Sequence, residues 1–394
     1  MKKIILSISL ILLSFHFFGQ QIVFTTLNSS SEEIFMRINV SNPFVYENIT
    51  DAINTHALFP GNHKGPISVS HKGDYYVFKS ERFESPLNTD GYEAITICKS
   101  DFTNFEVPKD QAGNVFHADG IMQISSDGNT IYCVKAGPAN GADVYKITRI
   151  GNYWEEMDIS ASSTFNINKA PYLSYLEDRI IFESSNDVNF STAISQVLVS
   201  GVGLSTYTSI SEIPGATQIK SPCYDNGANV YFEAETDGER VWKINVGGTP
   251  EIVNNSFTND NSPITLFDGR IVSVYIPQST HQLKVMNSDG TSESMLTQSV
   301  ASFEEIFDIG ISAGDVGLAN ISKIQKNNFV FSPNPAANEI TISNLKQETD
   351  FVLKNPEGKI VQNGKTSGEI NVSTLKSGVY FLTIADKTTK LAIQ

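Results

Sequence analysis

Residues 125–132 read Ser125-Ser126-Asp127-Gly128-Asn129-Thr130-Ile131-Tyr132, a polar turn leading straight into an apolar run that ends at Cys133. Asp-Gly supplies the positive backbone angles that a tight hairpin demands, so this stretch joins two antiparallel strands. The same pairing of turn and run recurs on either side of it. HKGD from His71, LEDR from Leu176, DNGA from Asp225 and FDGR from Phe267 lead into Tyr76-Val77-Phe78, Ile180-Ile181-Phe182, Val230-Tyr231-Phe232 and Ile271-Val272-Ser273. With Ile22-Val23-Phe24 at the start, the six runs begin 54, 55, 49, 50 and 41 residues apart. A repeat of about 50 residues is the size of a four-stranded propeller blade.

Each run is followed by an alternating segment that fits a strand packed between neighbouring blades. These segments are Glu33–Ile38, Ala94–Ile97, Asp143–Ile147, Ala193–Leu198, Arg240–Ile244 and Gln282–Val285. Weaker fourth strands follow, as at Trp154–Met157 and Glu251–Val253. Pro66, Pro171, Pro222 and Pro263 stand ahead of four of the turns, and proline opens a strand more readily than it joins a central ladder. They are read as the starts of the first strands. The first unit has no such strand ahead of Ile22, and Ser302–Ile309 is expected to supply it from the far end, closing a six-bladed ring without open edges. A β-sandwich with accidental periodicity is the competing arrangement.

The turn-and-strand pattern at Ser125–Tyr132, and again at Val285-Met286-Asn287-Ser288-Asp289-Gly290, resembles the repeats of TolB-like six-bladed propellers. The same blade type occurs in prolyl oligopeptidase relatives and oligogalacturonate lyases. The resemblance spans about 290 residues with degenerate repeats. It implies a fold and not an activity.

At the N-terminus, Lys2 and Lys3 precede an apolar stretch from Ile4 to Phe18, followed by Gly19, Gln20 and Gln21. This pattern fits a cleaved secretory signal over residues 1–20. The stretch is shorter than the roughly 20 residues of a spanning helix, and no later segment approaches that length. At the other end, Ser332-Pro333-Asn334-Pro335-Ala336, Gly358-Lys359 and Leu375-Lys376-Ser377-Gly378-Val379-Tyr380 punctuate short strands. These motifs resemble the C-terminal sorting domain of the Bacteroidetes type IX secretion system. The resemblance implies a small Ig-like β-sandwich at 329–394, with Pro333, Asn334, Pro335, Gly358, Lys359, Gly378 and Tyr380 as its signature. It also implies the secretion machinery as a partner and a secreted or cell-surface destination. The expected organisation is a signal peptide at 1–20, an all-β six-bladed propeller at 21–312, a linker at 313–328 and the sorting domain.

Charge is unevenly spread along the chain. The whole carries −15, but residues 326–394 hold eight lysines against six acids and the first twenty residues add two lysines, which leaves the body at −19. Such a body repels polyanions, so nucleic acid and acidic polysaccharides are excluded as partners. Cys98, Cys133 and Cys223 sit in apolar strand patterns and are expected as buried free thiols. With three cysteines, one cannot pair within the chain.

Catalytic motifs are absent from the sequence: there is no Gly-x-Ser-x-Gly elbow, no His-Glu-x-x-His helix and no phosphate-binding loop. No catalytic residue, metal or cofactor is therefore expected, and a lone Asp-Gly such as Asp289-Gly290 is turn chemistry, not a calcium loop. His117 and Asp119, at the start of an inner strand, are the candidate ligand residues at the channel mouth. The reading is a monomeric binding module for an extracellular peptide, protein or neutral glycan. The alternative is a polysaccharide-acting hydrolase or lyase at the same mouth, which three or more converging His, Asp or Glu side chains would favour.

Overall fold

The computed structural model describes residues 20–27, 30, 32–39, 46–54, 63–80, 93–136, 141–187, 190–253, 260–276, 281–296, 312–315, 330–332, 336, 338–343, 349–355, 359–384 and 387–393. The chain divides into two compact units, residues 1–320 and 321–394.

In the first unit, each apolar run is the second strand of an antiparallel sheet, and each alternating segment lies in the third. Blade 2 is His63–Val69, Tyr75–Ser80 and Ala94–Lys99, with a bridge from Ile97 to Glu106 in place of a longer fourth strand. Blade 3 is Asp119–Ile124, Thr130–Ala136, Ala142–Ile150 and Tyr153–Asp158. Blade 4 is Ile167–Leu173, Arg179–Ser185, Ala193–Leu198 and Ser205–Ser209. Blade 5 is Gln218–Tyr224, Val230–Glu235, Glu239–Ile244 and Glu251–Ile252. Blade 6 is Asp260–Thr265, Ile271–Tyr275, Gln282–Met286 and Ser294–Met295.

Blade 1 contains Gln20–Leu27, Glu33–Asn39 and Tyr46–Asn48, and its innermost strand comes from the other end of the unit. Ser312–Asp315 pairs antiparallel with Gln20–Val23, setting Gln20 opposite Asp315 and Val23 opposite Ser312. The expected closing segment, Ser302–Ile309, lies outside the described residues. The pairing carries the ring to Asp315, past the expected end at 312. The innermost strands touch in sequence from blade 2 through blade 6 to Ser312–Asp315, which touches blade 2 again. The ring is closed.

The apolar triplets explain the packing. Ile22 and Phe24 join a cluster with Val272, Ile264 and Leu283 of blade 6, while Val23 points the other way into a cluster with Ile67, Tyr76 and Phe78 of blade 2. A second strand is thus covered on both faces by its neighbours. That is why its sequence is continuously apolar where a half-buried strand would alternate. Each fully buried Phe or Ile contributes about 1.5–3 kcal/mol relative to exposure. Cys98 in a third strand, Cys133 in a second and Cys223 in a first are buried free thiols. Burial pushes the Cys133 thiol up to about 12.

In the hairpin turns, the amide of the fourth residue returns to the carbonyl of the first, as Gly128 N–H does to Ser125 at 2.9 Å. That fourth residue takes a positive φ: 73° at Gly73, 71° at Gly128, 53° at Glu177, 64° at Ala228 and 87° at Gly269. In the Asn-Gly turn of blade 5 the strained position therefore falls on Ala228 and not on Gly227. A side chain at Gly128 would also press a Cβ to 2.7 Å from the Tyr75 ring.

The prolines are placed differently from the sequence reading. Pro66, Pro171, Pro222 and Pro263 lie inside their first strands, each after a residue of positive φ: Gly65 at 78°, Ala170 at 49°, Ser221 at 52° and Ser262 at 47°. The register shifts across each of these sites, between Lys64 and Ser68, Lys169 and Tyr172, Lys220 and Cys223, and Asn261 and Ile264. Blade 3 does the same without proline, with Gly120 at 68° and a shift between Asp119 and Gln123. A bulge leaves one residue out of the ladder, so proline's missing N–H costs nothing there.

The second unit has two sheets. One runs Val330–Ser332, Glu339–Ser343, Glu369–Asn371, and the other Ile360–Thr366, Thr349–Lys354, Gly378–Ile384, Lys387–Ile393. Its core includes Ala336, Ile340, Phe351, Leu353, Ile370, Tyr380, Leu382 and Leu391. Tyr380 is buried and donates its hydroxyl to the Lys376 carbonyl at 2.8 Å. Lys359 is exposed in a turn, where its amide donates to Asn355 Oδ1 at 2.9 Å. Gly378 opens a strand. Pro333, Asn334, Pro335 and Gly358 lie outside the described residues.

Candidate functional site

The bulges put backbone N–H groups where no ladder partner can meet them, and in blades 2, 5 and 6 the preceding blade supplies acceptors. Glu183, directly after the triplet of blade 4, accepts from the Ser221 amide of blade 5 at 2.7 Å. Glu233, at the same position in blade 5, accepts from the Ser262 amide of blade 6 at 3.1 Å. In blade 1 the equivalent residue is Thr25, which accepts from the Ile67 amide at 3.2 Å, while Glu33 takes the Gly65 amide at 2.5 Å. A carboxylate accepting from backbone N–H makes one of the stronger neutral-to-charged bonds, so these contacts fix the angle between blades.

Two of these carboxylates face a lysine across their own sheet. Lys220 Nζ lies 2.8 Å from Glu233 and 3.4 Å from Glu239, and Lys169 Nζ lies 3.6 Å from Glu183. Burial pushes the Glu233 carboxyl up to about 8, against the pull of the Lys220 ammonium. Its unfolded value is 4.5. Between the two values the folded chain holds a proton that the unfolded chain has released, so stability falls as pH rises through that window, by at most about 1.4 kcal/mol per pH unit. Thermal melts between pH 5 and pH 8 should therefore decline less steeply for Glu233→Gln than for the unsubstituted protein. Parallel curves would contradict the assignment.

The bulges of blades 3, 4 and 5 enclose a cavity of about 390 Å³. Asp119, Gly120 and Ile121 form one side, Lys169, Ala170 and Glu183 a second, and Lys220 and Ser221 a third, with Val134 and Ala142 completing the apolar wall. Of the two residues singled out in the sequence, Asp119 lines this cavity and His117 is not among its lining residues. His117 Nδ1 is 2.8 Å from the Glu93 carbonyl. Lys169, Glu183 and Lys220 were missed. The available signal was a Glu immediately after an apolar triplet, occurring twice about one period apart.

At the opposite ends of the inner strands the axis is filled. His71 of blade 2 donates Nε2–H to the Leu173 carbonyl of blade 4 at 2.7 Å and stacks on Tyr175 at 4.3 Å between centroids. Tyr175 in turn donates its hydroxyl to the Thr265 carbonyl of blade 6 at 2.7 Å and meets the Phe267 ring edge-on at 6.0 Å. Blades 2, 4 and 6 are not neighbours, so they meet only across the axis. Burial holds the His71 imidazole below its ordinary value, which keeps this plug neutral.

Among the described residues no group of three or more His, Cys, Asp or Glu is arranged to hold a metal ion. No helix among them is long and apolar enough to cross a membrane.

A comparison with curated proteins finds no match. Among solved structures, TolB from Acinetobacter baumannii is similar to this chain with a TM-score of 0.54 at 11% identity, covering 75% of this chain and 67% of that one. A TolB structure from Agrobacterium tumefaciens gives 0.46 at 13% identity, covering 71% of this chain and 89% of that one. At such identity the likeness concerns the fold. Residues 330–394 match the family described as the secretion system C-terminal sorting domain, which marks a protein sent by type IX secretion to the cell surface or the extracellular space. The first unit thus shares the propeller fold of TolB, and residues 330–394 carry a type IX C-terminal sorting domain.

Proposed function

We propose that the propeller is a monomeric binding module, delivered by an N-terminal signal peptide and its sorting domain, that takes an extracellular peptide, protein segment or neutral glycan into the cavity between blades 3, 4 and 5. The observation that supports this reading is the cavity itself. It is partly apolar, lined by a few charged side chains and large enough for a small ligand. The body's negative charge keeps polyanions away, which favours neutral or zwitterionic ligands. The geometry offers the hydrolase or lyase reading no observation of its own, since His117 is engaged with Glu93 outside the cavity lining.

Peptide and glycan arrays probed with the secreted full chain and with Ala142→Trp test the reading. A tryptophan at 142 fills the cavity from its wall. Ligands of the intact protein should be lost in the variant while its melting temperature holds. Ligands retained equally by both would place recognition elsewhere.

A further inference from the structure

The cavity carries one charge that the protein does not match and one that it matches only loosely. Asp119 is exposed, and among the described residues its carboxylate makes no hydrogen bond and no ion pair. Lys169 also lines the cavity, and its ammonium makes no hydrogen bond among the described residues. Its nearest carboxylate oxygen, Glu183 Oε2, is 3.6 Å away. That carboxylate is already committed, to the Ser191 hydroxyl at 2.6 Å and the Ser221 amide at 2.7 Å. Lys220 differs from both, lying 2.8 Å from Glu233 and 3.4 Å from Glu239.

A neutral sugar filling this space would strip water from the unpaired Asp119 carboxylate and the loosely paired Lys169 ammonium and give neither a new partner, which is costly. A simple anion would meet Lys169 but sit against Asp119. A ligand with an ammonium at one end, a carboxylate at the other and apolar matter between them satisfies both charges, and Ile121, Val134, Ala142 and Ala170 supply the apolar wall. We propose that the cavity binds short peptides with both termini free, the α-ammonium on Asp119 and the α-carboxylate on Lys169. This rests on reading the cavity as the ligand site.

Titration calorimetry on the secreted full chain with trialanine, N-acetyl-trialanine, trialanine amide and maltotriose tests it. Free trialanine should bind, and blocking either end should weaken binding by about tenfold or more, the worth of one charge-assisted hydrogen bond. Asp119→Asn should erase the difference between trialanine and its N-acetyl form, and Lys169→Gln the difference between trialanine and its amide. Blocked and free peptides binding alike would overturn the proposal without needing any variant. So would binding of maltotriose in preference to trialanine, or silence from trialanine while another ligand is lost in Ala142→Trp. In those last two cases the cavity remains the ligand site. If nothing depends on residue 142, both readings fail.

Discussion

A chain cut after Asn320 should melt where the full-length propeller melts, whereas one cut after Ile311 should melt roughly 10 °C or more lower. The two differ by nine residues, and among them only Ser312–Asp315 has a described role. That strand completes blade 1 by four residue pairs with Gln20–Val23 and also touches the inner strands of blades 2 and 6. Its loss opens the ladder beside Ile22 and Val23 and leaves the joint between blades 6 and 1 to side-chain packing alone. An exposed edge of this kind also invites pairing with a second chain. Melting followed by circular dichroism, with light scattering to detect association, reads both effects. Equal melting temperatures for the two truncations would show that the ring does not depend on this strand.

Deleting residues 330–394 should abolish delivery to the medium and the cell surface and leave the propeller, still folded, inside the cell envelope. Those residues form a self-contained sandwich with its own core around Tyr380, Phe351 and Leu391, and they match the sorting family along their length. Fractionation and immunodetection against the propeller would follow the protein. Tyr380→Ala should act like the deletion: emptying a buried aromatic site costs about 3–5 kcal/mol, much of what a domain this small has to spare. Normal export of either variant would refute the sorting role.

The fold was readable because its driving force is local in sequence. A strand covered on both faces needs three consecutive apolar residues, and a hairpin needs a residue tolerant of positive φ, so Ile180-Ile181-Phe182 and Asp127-Gly128 declare themselves. The closing strand did not. Ser312-Ala313-Gly314-Asp315 has little intrinsic strand preference, and the more apolar Phe303–Ile309 attracted the assignment instead. The prolines were misread because a bulge and a strand start both excuse a missing N–H, and only the register separates them. The cavity was hidden for a related reason. Glu183 acts on an amide 38 residues away in the next blade, a pairing set by inter-blade geometry. Asp119 was singled out because inner-strand starts ring a channel in any propeller, and it lines the cavity.

On the proposed reading, the contact of His71, Tyr175 and Phe267 across the axis bears on what sort of guest the ring would admit. A tube open at both ends lets a polymer thread through and be gripped anywhere along its length; a cul-de-sac accepts a terminus or a whole small molecule, and whatever enters must back out by the same door.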